Sequence, residues 1–434
     1  MYEVESSERG FPVGKFYEQL QHLYACDEAE CERQAQRFAQ ALDSFASLFG
    51  EDREVAVFSA PGRTEVGGNH TDHQRGHVLA ASVNLDILGV VSKNGTDKIR
   101  IKSQGYPQDE VDLNDLSMHP AEQNSSRALV RGIAAKFQEL GAKLEGFDVY
   151  MTSQVLSGSG LSSSAAFEVL VGNIFNALFY DRKAAPMQIA QIGQYAENVY
   201  FGKPSGLLDQ AASSIGGFVA IDFKDKAHPD AQQVRFDFSK SGYALCVLDT
   251  HASHADLTPD YAAIPEEMRS VAAYFGKEVL SEVAEETFYA AIPELRRAVG
   301  DRPVLRAMHF YAEDRRAKEE ADALNGDHFA RFLQLVRESG NSSFMFLQNI
   351  YSAAHYEQQA VSVALGLCAH FAGHLPDPNA MAWRVHGGGF AGTVQAFVPE
   401  RYVSAFANEM DAYLGEGSCH ILRVRPVGGM QIVK

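Results

Sequence analysis

The spacing of apolar and polar residues predicts strands and helices that alternate through both halves of the chain. Short apolar runs and period-two alternation are typical of strands, and apolar positions repeated every three or four residues are typical of helices. The strands predicted in this way are 55–59, 78–91, 147–151, 218–223, 244–248, 393–398 and 419–425. The predicted helices are 32–49, 166–178, 187–200, 262–275, 305–324, 327–337 and 344–371. This interleaving indicates an α/β or α+β protein.

The run Gly158-Ser-Gly-Leu-Ser-Ser-Ser-Ala-Ala166 joins the predicted strand 147–151 to the helix that follows it. Serine favours the start of a helix, where the first N–H groups lack partners, and glycine lets the backbone approach a ligand closely. Together these features predict an anion site of the kind that holds phosphate. Taken alone, the run is equally consistent with a turn that caps a helix.

A second polar stretch lies between the predicted strands 55–59 and 78–91. Polar loops between core strands are frequent locations of binding sites. Its side chains suit either a metal ion or the hydrogen-bond network of a hydroxyl-rich ligand. A metal is disfavoured because neighbouring residues of a strand, such as Asp72 and His73, point to opposite faces. The polar residues are Arg63, Asn69, His70, Asp72, His73 and His77.

Length and charge narrow the possible partners of the protein. The chain has 434 residues, of which 46% are hydrophobic and 22% are charged, and this predicts two globular domains. We place the boundary in the charged region near 225, giving domains 1–225 and 226–434. The net charge of −18 argues against nucleic-acid and anionic-membrane partners. A phosphate ligand would therefore need a local positive group, a metal ion or helix N-termini.

The five cysteines are scattered, and they predict a reducing compartment rather than a disulfide framework. The acidic N-terminus lacks the apolar core of a signal peptide, and no apolar run approaches the length of a membrane span. From these features we expect a cytoplasmic protein.

Three segments resemble one family, the GHMP small-molecule kinases, and within it the galactokinases. Pro61-Gly-Arg63 followed by Gly68-Asn-His-Thr-Asp72 is similar to the signature PGRVNLIGEHTDYN. The run 158–166 resembles the phosphate loop GxGLSSSAA, and Gly387-Gly-Gly-Phe-Ala-Gly392 resembles GGGFGG. Leu208-Asp-Gln210 is similar to the segment that carries the catalytic aspartate. Three motifs in the right order and spacing are far more specific than any one of them.

The resemblance implies a two-domain GHMP kinase fold, with a ribosomal-S5-like N-terminal domain, a ferredoxin-like C-terminal domain and an active site between them. It implies phosphoryl transfer from ATP to the C1 hydroxyl of galactose. Asp209 would accept or orient that hydroxyl, with Arg63 beside it. Mg²⁺ would be held by Ser163 or Ser164 and by Glu197. The implied phosphate-binding residues are Gly158, Ser159, Gly160, Leu161, Ser162, Ser163, Ser164 and Ala165.

For the sugar, the resemblance implies contacts from Asn69, His70, Asp72 and Tyr261. Asn69 departs from the family, which has glutamate there, and the change resembles the galacturonate kinases of the same superfamily. A sugar with a C6 carboxylate would be repelled by glutamate and tolerated by asparagine. Galacturonate is therefore an alternative to galactose as the substrate.

Two further classes of function are kept open. A sugar- and ATP-binding regulator without activity is one, although Ser164 and Ala165 of the phosphate loop are both present. A metal-dependent hydrolase is the other, and it would use His70, Asp72, His251 and His254. Under the kinase hypothesis the partners are a small sugar and ATP, and the protein is expected to be a monomer or a weak oligomer.

Overall fold

The computed structural model describes residues 13–155, 160–225, 228–252 and 257–433. Within them the chain forms an eight-stranded and a four-stranded sheet, and helices pack against both. The strands are β1 Ala56–Gly67, β2 His77–Lys93, β3 Lys98–Ser103, β4 Gln108–Asp112, β5 Phe147–Ser153, β6 Phe218–Asp222, β7 Asp230–Gln233, β8 Tyr243–Asp249, β9 Ala382–His386, β10 Thr393–Pro399, β11 Cys419–Leu422 and β12 Met430–Val433.

Helices account for most of the remaining chain. The α-helices are α1 Val13–Tyr24, α2 Glu28–Phe49, α3 Ser126–Glu139, α4 Ser163–Phe179, α5 Pro186–Tyr195, α6 Leu208–Ile215, α7 Thr258–Tyr274, α8 Glu285–Ala290, α9 Ile292–Ala298, α10 Asp301–Asn325, α11 Phe329–Ser342, α12 Ala360–Gly373 and α13 Glu400–Leu414. Two π-helical turns, Ala196–Phe201 and Ser343–Leu347, extend α5 and α11. No helix in the described ranges is long and apolar enough to cross a membrane.

The larger sheet has the order β12-β1-β2-β5-β3-β4, and β6 and β7 continue it from β2. Its pairs are antiparallel except β3 with β5, and the smaller sheet has the order β11-β8-β10-β9. The larger sheet contains β7 and β12, which come from beyond residue 225, whereas the smaller sheet is built wholly from the second half. The predicted boundary between 1–225 and 226–434 stays a prediction.

One continuous core lies between the two sheets. It includes Leu79 and Ala81 from β2, Leu245 and Val247 from β8, and Phe397 from β10, all of them buried. The burial follows from the period of two in these strands, since alternate side chains point into the same layer. The two sheets therefore share one hydrophobic core.

Most of the elements predicted from apolar spacing are confirmed, and three predictions are wrong. Strand β1 does not end at Ser59 but continues to Gly67, so half of the predicted polar loop is strand. Helix 344–371 is interrupted, and α12 begins only at Ala360. Cys26 and Cys31 form a disulfide across the turn between α1 and α2, with Cα atoms 5.8 Å apart, whereas no disulfide framework was expected. That separation is within the usual range for a disulfide.

Candidate active site

Arg63 joins three segments that the sequence identified separately. Its Nε donates to Asp209 Oδ1 at 2.6 Å, and its Nη1 donates to the carbonyl of Gly160. The backbone N–H of Arg63 donates to the carbonyl of Leu161 at 3.0 Å. The guanidinium has five donors in a fixed fork, so it can fix the aspartate and the loop at the same time.

Asp209 lies in the first turn of α6, and a third of its side chain remains exposed. Its second oxygen, Oδ2, accepts a hydrogen bond from Ser162 Oγ at 2.7 Å. Burial alone would raise the pKa of Asp209, but the charge and hydrogen bond of Arg63, with the bond from Ser162, lower it below the ordinary value. The carboxylate is therefore ionised near neutral pH and has an exposed edge for a ligand.

The phosphate loop is described from Gly160 onward, and Gly158 and Ser159 lie outside the described residues. Gly160 and Ser162 have left-handed backbones, with φ of 75° and 56°. Ser162 is the N-cap residue of α4, yet its hydroxyl bonds to Asp209 and makes no capping bond. The first turn of this 17-residue helix thus keeps donors that could hold an anion, and phosphate binding there stays a prediction.

A cavity of about 730 Å³ opens beside the start of α4. Ser163 and Ser164 form one wall, so an anion bound at the helix N-terminus would continue into this space. The remaining wall combines aromatic, aliphatic and hydroxyl groups, a lining typical of sites for small organic ligands. It includes Tyr106, Met151, Val155, Phe167 and Phe201.

Glu197 lies in the π-turn after α5 and is buried. Its Oε1 accepts from Lys203 Nζ at 3.0 Å, and its Oε2 accepts from Ser205 Oγ at 2.5 Å and Gln210 Nε2 at 3.0 Å. Carboxylate and hydroxyl oxygens are suitable donors for Mg²⁺, which usually takes one or two carboxylates and completes its shell with phosphate and water. The chemistry of Glu197, Ser163 and Ser164 therefore fits that ion.

His70 and Asp72 lie near both Asp209 and the glycine-rich segment 387–392, and the space that these groups border is termed the cleft. His70 Nε2 is 3.1 Å from the carbonyl of Gly388, and burial lowers the pKa of this histidine, so the neutral ring donates to that carbonyl. Burial raises the pKa of Asp72 against the attraction of His70, and the charge of Asp209 adds to the rise. The carboxyl groups of Asp72 and Asp209 therefore border the same space.

Asn69 is fully buried, unlike the other residues predicted to contact a sugar. Its Nδ2 donates to Glu65 Oε1 at 2.7 Å and to the carbonyl of Gly387 at 2.8 Å. Its Oδ1 accepts from Asn349 Nδ2 at 2.9 Å and faces Ser343 Oγ at 3.4 Å. Every polar atom of the amide is occupied within the protein, and this argues against the predicted contact between Asn69 and a sugar.

The glycine-rich segment 387–392 closes the cleft from the smaller sheet. Tyr261 donates its hydroxyl to the carbonyl of Gly389 at 2.6 Å and lies flat against Gly388. A sugar contact from Tyr261 stays a prediction. Within the segment, Phe390 has a left-handed φ of 60°, whereas Ala391 does not. The alanine in place of the family's glycine is therefore accommodated without strain.

The histidine-based metal site is not supported. His251 Nε2 bonds to Ser418 Oγ at 2.9 Å, whereas His70 bonds to the glycine-rich segment, and His254 lies outside the described residues. Across 13–155, 160–225, 228–252 and 257–433, no three His, Cys, Asp or Glu side chains form a group that could hold a metal ion.

Sequence reasoning missed three polar residues that form the floor of the cleft: Glu65, Arg384 and His386. His386 lies between Thr64 Oγ1 at 2.9 Å and Thr393 Oγ1 at 2.8 Å, and burial lowers its pKa to about 3. Arg384 Nη2 is 3.5 Å from Glu65 Oε1. Polar residues at alternate positions of an otherwise apolar strand were the available signal.

Comparison with known proteins supports the same site. Residues 128–217 match the GHMP kinases N terminal domain, and residues 43–93 match the galactokinase galactose-binding signature. The first range contains the phosphate loop and Asp209, and the second contains Arg63 and Asp72. The two matched ranges therefore contain residues from both parts of the site described above.

Several proteins that are similar to most of this chain are named galactokinase. The galactokinase of Streptomyces coelicolor is 30% identical over 86% of this chain and 92% of its own length. The galactokinase of Actinobacillus pleuropneumoniae is 30% identical over 84% of this chain and 90% of its own. Lactococcus lactis galactokinase, crystallised with galactose, superposes with a TM-score of 0.74 at 24% identity, covering 91% of this chain and 99% of that one.

The mixed α/β two-domain GHMP kinase fold predicted from the motifs is confirmed by that superposition. A mevalonate kinase crystal structure, at 13% identity, has the same fold with a TM-score of 0.58. The near-complete coverage of relatives at 30% identity extends the likeness from the motifs to the whole chain. The protein belongs to the galactokinase family.

Proposed function

We propose that the protein transfers the γ-phosphoryl group of ATP to the C1 hydroxyl of galactose. The observation that carries this proposal is the contact of Arg63 with both Asp209 and the carbonyl of Gly160. This contact puts an ionised carboxylate next to the loop that would hold the triphosphate. A hydroxyl bound at Asp209 would therefore face a phosphoryl group bound at the N-terminus of α4.

Asp209 orients the C1 hydroxyl and takes its proton as the oxygen–phosphorus bond forms and ADP leaves. Because the pKa of Asp209 is lowered, the carboxylate is a weak base, and its main contribution is position rather than early proton removal. A loose phosphoryl-transfer transition state needs little base strength. Arg63 offsets the negative charge of the transferring group.

The cavity of about 730 Å³ beside Ser163 and Ser164 would take the nucleoside of ATP. Mg²⁺ would be held by Glu197 and by the hydroxyl of Ser163 or Ser164, and it would neutralise charge on the phosphates. His70 and Asp72 would bind sugar hydroxyls at the other side of the cleft. The intact Asp209 and the complete loop residues Ser164 and Ala165 support an enzyme rather than a regulator without activity.

The test is ADP release with galactose for the wild type and for Asp209→Asn. Asparagine keeps the size of the side chain and removes the charge that receives the proton. We expect kcat to fall by about 100-fold or more, in the range of measured acid–base contributions. Galactose binding, measured by calorimetry, should change much less.

Asp327→Asn is the matched control, since Asp327 is exposed and its left-handed φ of 58° is one that asparagine accepts. Its kcat should equal that of the wild type. Absence of sugar-dependent ADP release in the wild type would contradict the kinase proposal. Full turnover in Asp209→Asn would contradict the role of Asp209 alone.

A further inference from the structure

Glu65 shares a face of β1 with Arg63. Thr64 and Val66 are buried, whereas Arg63 and Glu65 are partly exposed. The pairing of β1 with β2 is regular from Arg63 to Glu65, so side chains two residues apart point the same way. Arg63 contacts Asp209, and the charges of Arg63 and Asp72 both act on Glu65, so Glu65 lies beside the cleft as well.

The carboxylate of Glu65 has one oxygen occupied and one available. Oε1 accepts from Asn69 Nδ2 at 2.7 Å and lies 3.5 Å from Arg384 Nη2. Oε2 has no hydrogen-bond partner within the described residues, and the side chain is 16% exposed. A partly exposed carboxylate oxygen without a partner in the described residues is available for a hydrogen bond from water or a ligand.

Asn69 holds Glu65 in this position. In addition to its amide contacts, its carbonyl accepts from His309 Nε2 at 2.9 Å, and its N–H faces Glu313 Oε1 at 3.4 Å. Its backbone is therefore attached to α10 and its side chain to the glycine-rich segment. The amide that donates to Glu65 is thus fixed by contacts with the second half of the chain.

Compared with the signature PGRVNLIGEHTDYN, the amide and the carboxylate have changed places at Glu65 and Asn69. That signature has asparagine at the position of Glu65 and glutamate at the position of Asn69. The hydrogen bond of 2.7 Å between the two side chains shows that they form one pair. Relative to the signature, this chain lacks the carboxylate at position 69 and has one at position 65.

We propose that Glu65 is the specificity-determining carboxylate of the sugar site, that it accepts a hydrogen bond from a hydroxyl of a neutral sugar, and that Asn69 is its positioning residue. The inference rests on the proposed function. It also favours galactose over galacturonate. A carboxylate in the cleft repels the carboxylate of galacturonate, whether position 65 or position 69 supplies it. The ionised Asp209 adds negative charge to the same cleft.

The experiment compares wild type with Glu65→Gln, which keeps the shape and removes the charge. The substrates are galactose, its single-deoxy analogues and galacturonate, and ADP release gives kcat and KM for each. We expect the KM for galactose to rise about 10- to 100-fold with kcat changed less than about threefold, as for loss of a hydrogen bond to a charged group. Galacturonate should be the poorer substrate of the wild type, and the variant should reduce that preference.

The single-deoxy analogues of galactose identify which sugar hydroxyl contacts Glu65. The analogue that lacks it should be a poor substrate of the wild type, and Glu65→Gln should not weaken it further. The control is Glu54→Gln, an exposed position just before β1, which should leave all constants unchanged. Circular dichroism and calorimetric galactose binding separate misfolding from loss of a contact.

The outcomes distinguish this inference from the proposed function. If the wild type phosphorylates galactose and Glu65→Gln has the same KM for every sugar, the role of Glu65 is refuted. If the wild type prefers galacturonate, the inference about the neutral sugar is refuted while the kinase activity stands. If no sugar is phosphorylated by the wild type, the proposed function itself fails.

Discussion

At the position of Asp209, burial and hydrogen bonding act on the carboxylate in opposite directions. The contacts from Arg63 and Ser162 outweigh burial, so the pKa is lowered. Glu65, two residues from Arg63 along β1, shows the opposite balance. Burial raises its pKa to about 7 against the attraction of Arg384. The pKa values of two carboxyl groups in one cleft are thus shifted in opposite directions.

The raised pKa of Glu65 predicts how stability depends on pH. An unfolded glutamate ionises near 4.5, whereas folded Glu65 ionises near 7, so folding loses stability as pH rises between these values. Glu65→Gln removes this loss. We expect its gain in Tm over the wild type to be about 3 °C larger at pH 8 than at pH 4.5. Differential scanning calorimetry at the two pH values measures it.

The pKa of Glu65 depends on the charged and polar groups around it. Arg384 from β9, Asn69, Arg63 and Asp72 are the neighbours that act on its pKa. None of the four is altered in Glu65→Gln, and the exposed Glu54→Gln is the control for removal of a distant charge. A gain in Tm that is equal at both pH values would show that Glu65 titrates normally.

The sequence identified those site residues that belong to short motifs. Arg63, Asp209 and the serines of the phosphate loop were recognised from motifs, and the structure brings them together. Glu65 was missed because Pro61 and Gly62 were taken as the end of a strand, as these residues usually are. In the structure β1 continues through them with an irregular register between Pro61 and Arg63.

At the scale of elements, the contact between β1 and the phosphate loop depends on Gly62. A Cβ atom at this position would lie 2.9 Å from the carbonyl oxygen of Leu161 and 3.1 Å from Val155 Cγ1. Val155 precedes the phosphate loop and Leu161 lies within it, and the same Leu161 carbonyl accepts from the backbone of Arg63. The glycine therefore sets the distance between the strand and the loop.

Gly62→Ala should displace the phosphate loop from β1. We expect the KM for ATP to rise about 10-fold or more, because backbone donors would move from their positions, while the KM for galactose changes less. Steady-state ADP release with each substrate varied in turn measures both constants. The expected effect is one of geometry, since no charge or hydrogen-bonding group is removed.

Gly366→Ala is the control for this substitution. Gly366 lies in α12 with nothing within 4 Å of an added Cβ, so alanine should leave both constants unchanged and stabilise the helix by up to ~1 kcal/mol. An unchanged KM for ATP in Gly62→Ala would show that the loop does not depend on this contact.

Elements were predictable where apolar spacing was uninterrupted and were misplaced where a tertiary contact ended them. Helix 344–371 was predicted because its apolar residues keep helical spacing. In the structure Gln348 has a left-handed φ of 59°, and Asn349 donates to Asn69 across the cleft. Residues 348–359, all of them described, contain no helix. No pattern in the local sequence predicts that Asn349 bonds to a residue 280 positions away.

At the scale of the whole molecule, the two sheets share one core and one cleft. Leu79 of β2 and Leu245 of β8 belong to the same buried cluster, and β12 returns from the chain's end to pair with β1. The contacts of Asn69 with Asn349 and with the glycine-rich segment add polar links across the halves. We therefore expect the described parts of both halves to unfold together.

This cooperativity predicts the response to galactose. A ligand present at 100 times its Kd stabilises the native state by about 2.7 kcal/mol, which corresponds to roughly 3 °C for a protein of this length. If the halves unfold together, galactose should move a single calorimetric peak by that amount. If Asp72 binds the sugar as proposed, Asp72→Asn should show a smaller shift at the same galactose concentration, because an amide replaces the carboxyl group that would accept from the sugar hydroxyls. Two separate peaks, of which galactose moves only one, would show that the shared core does not couple the halves.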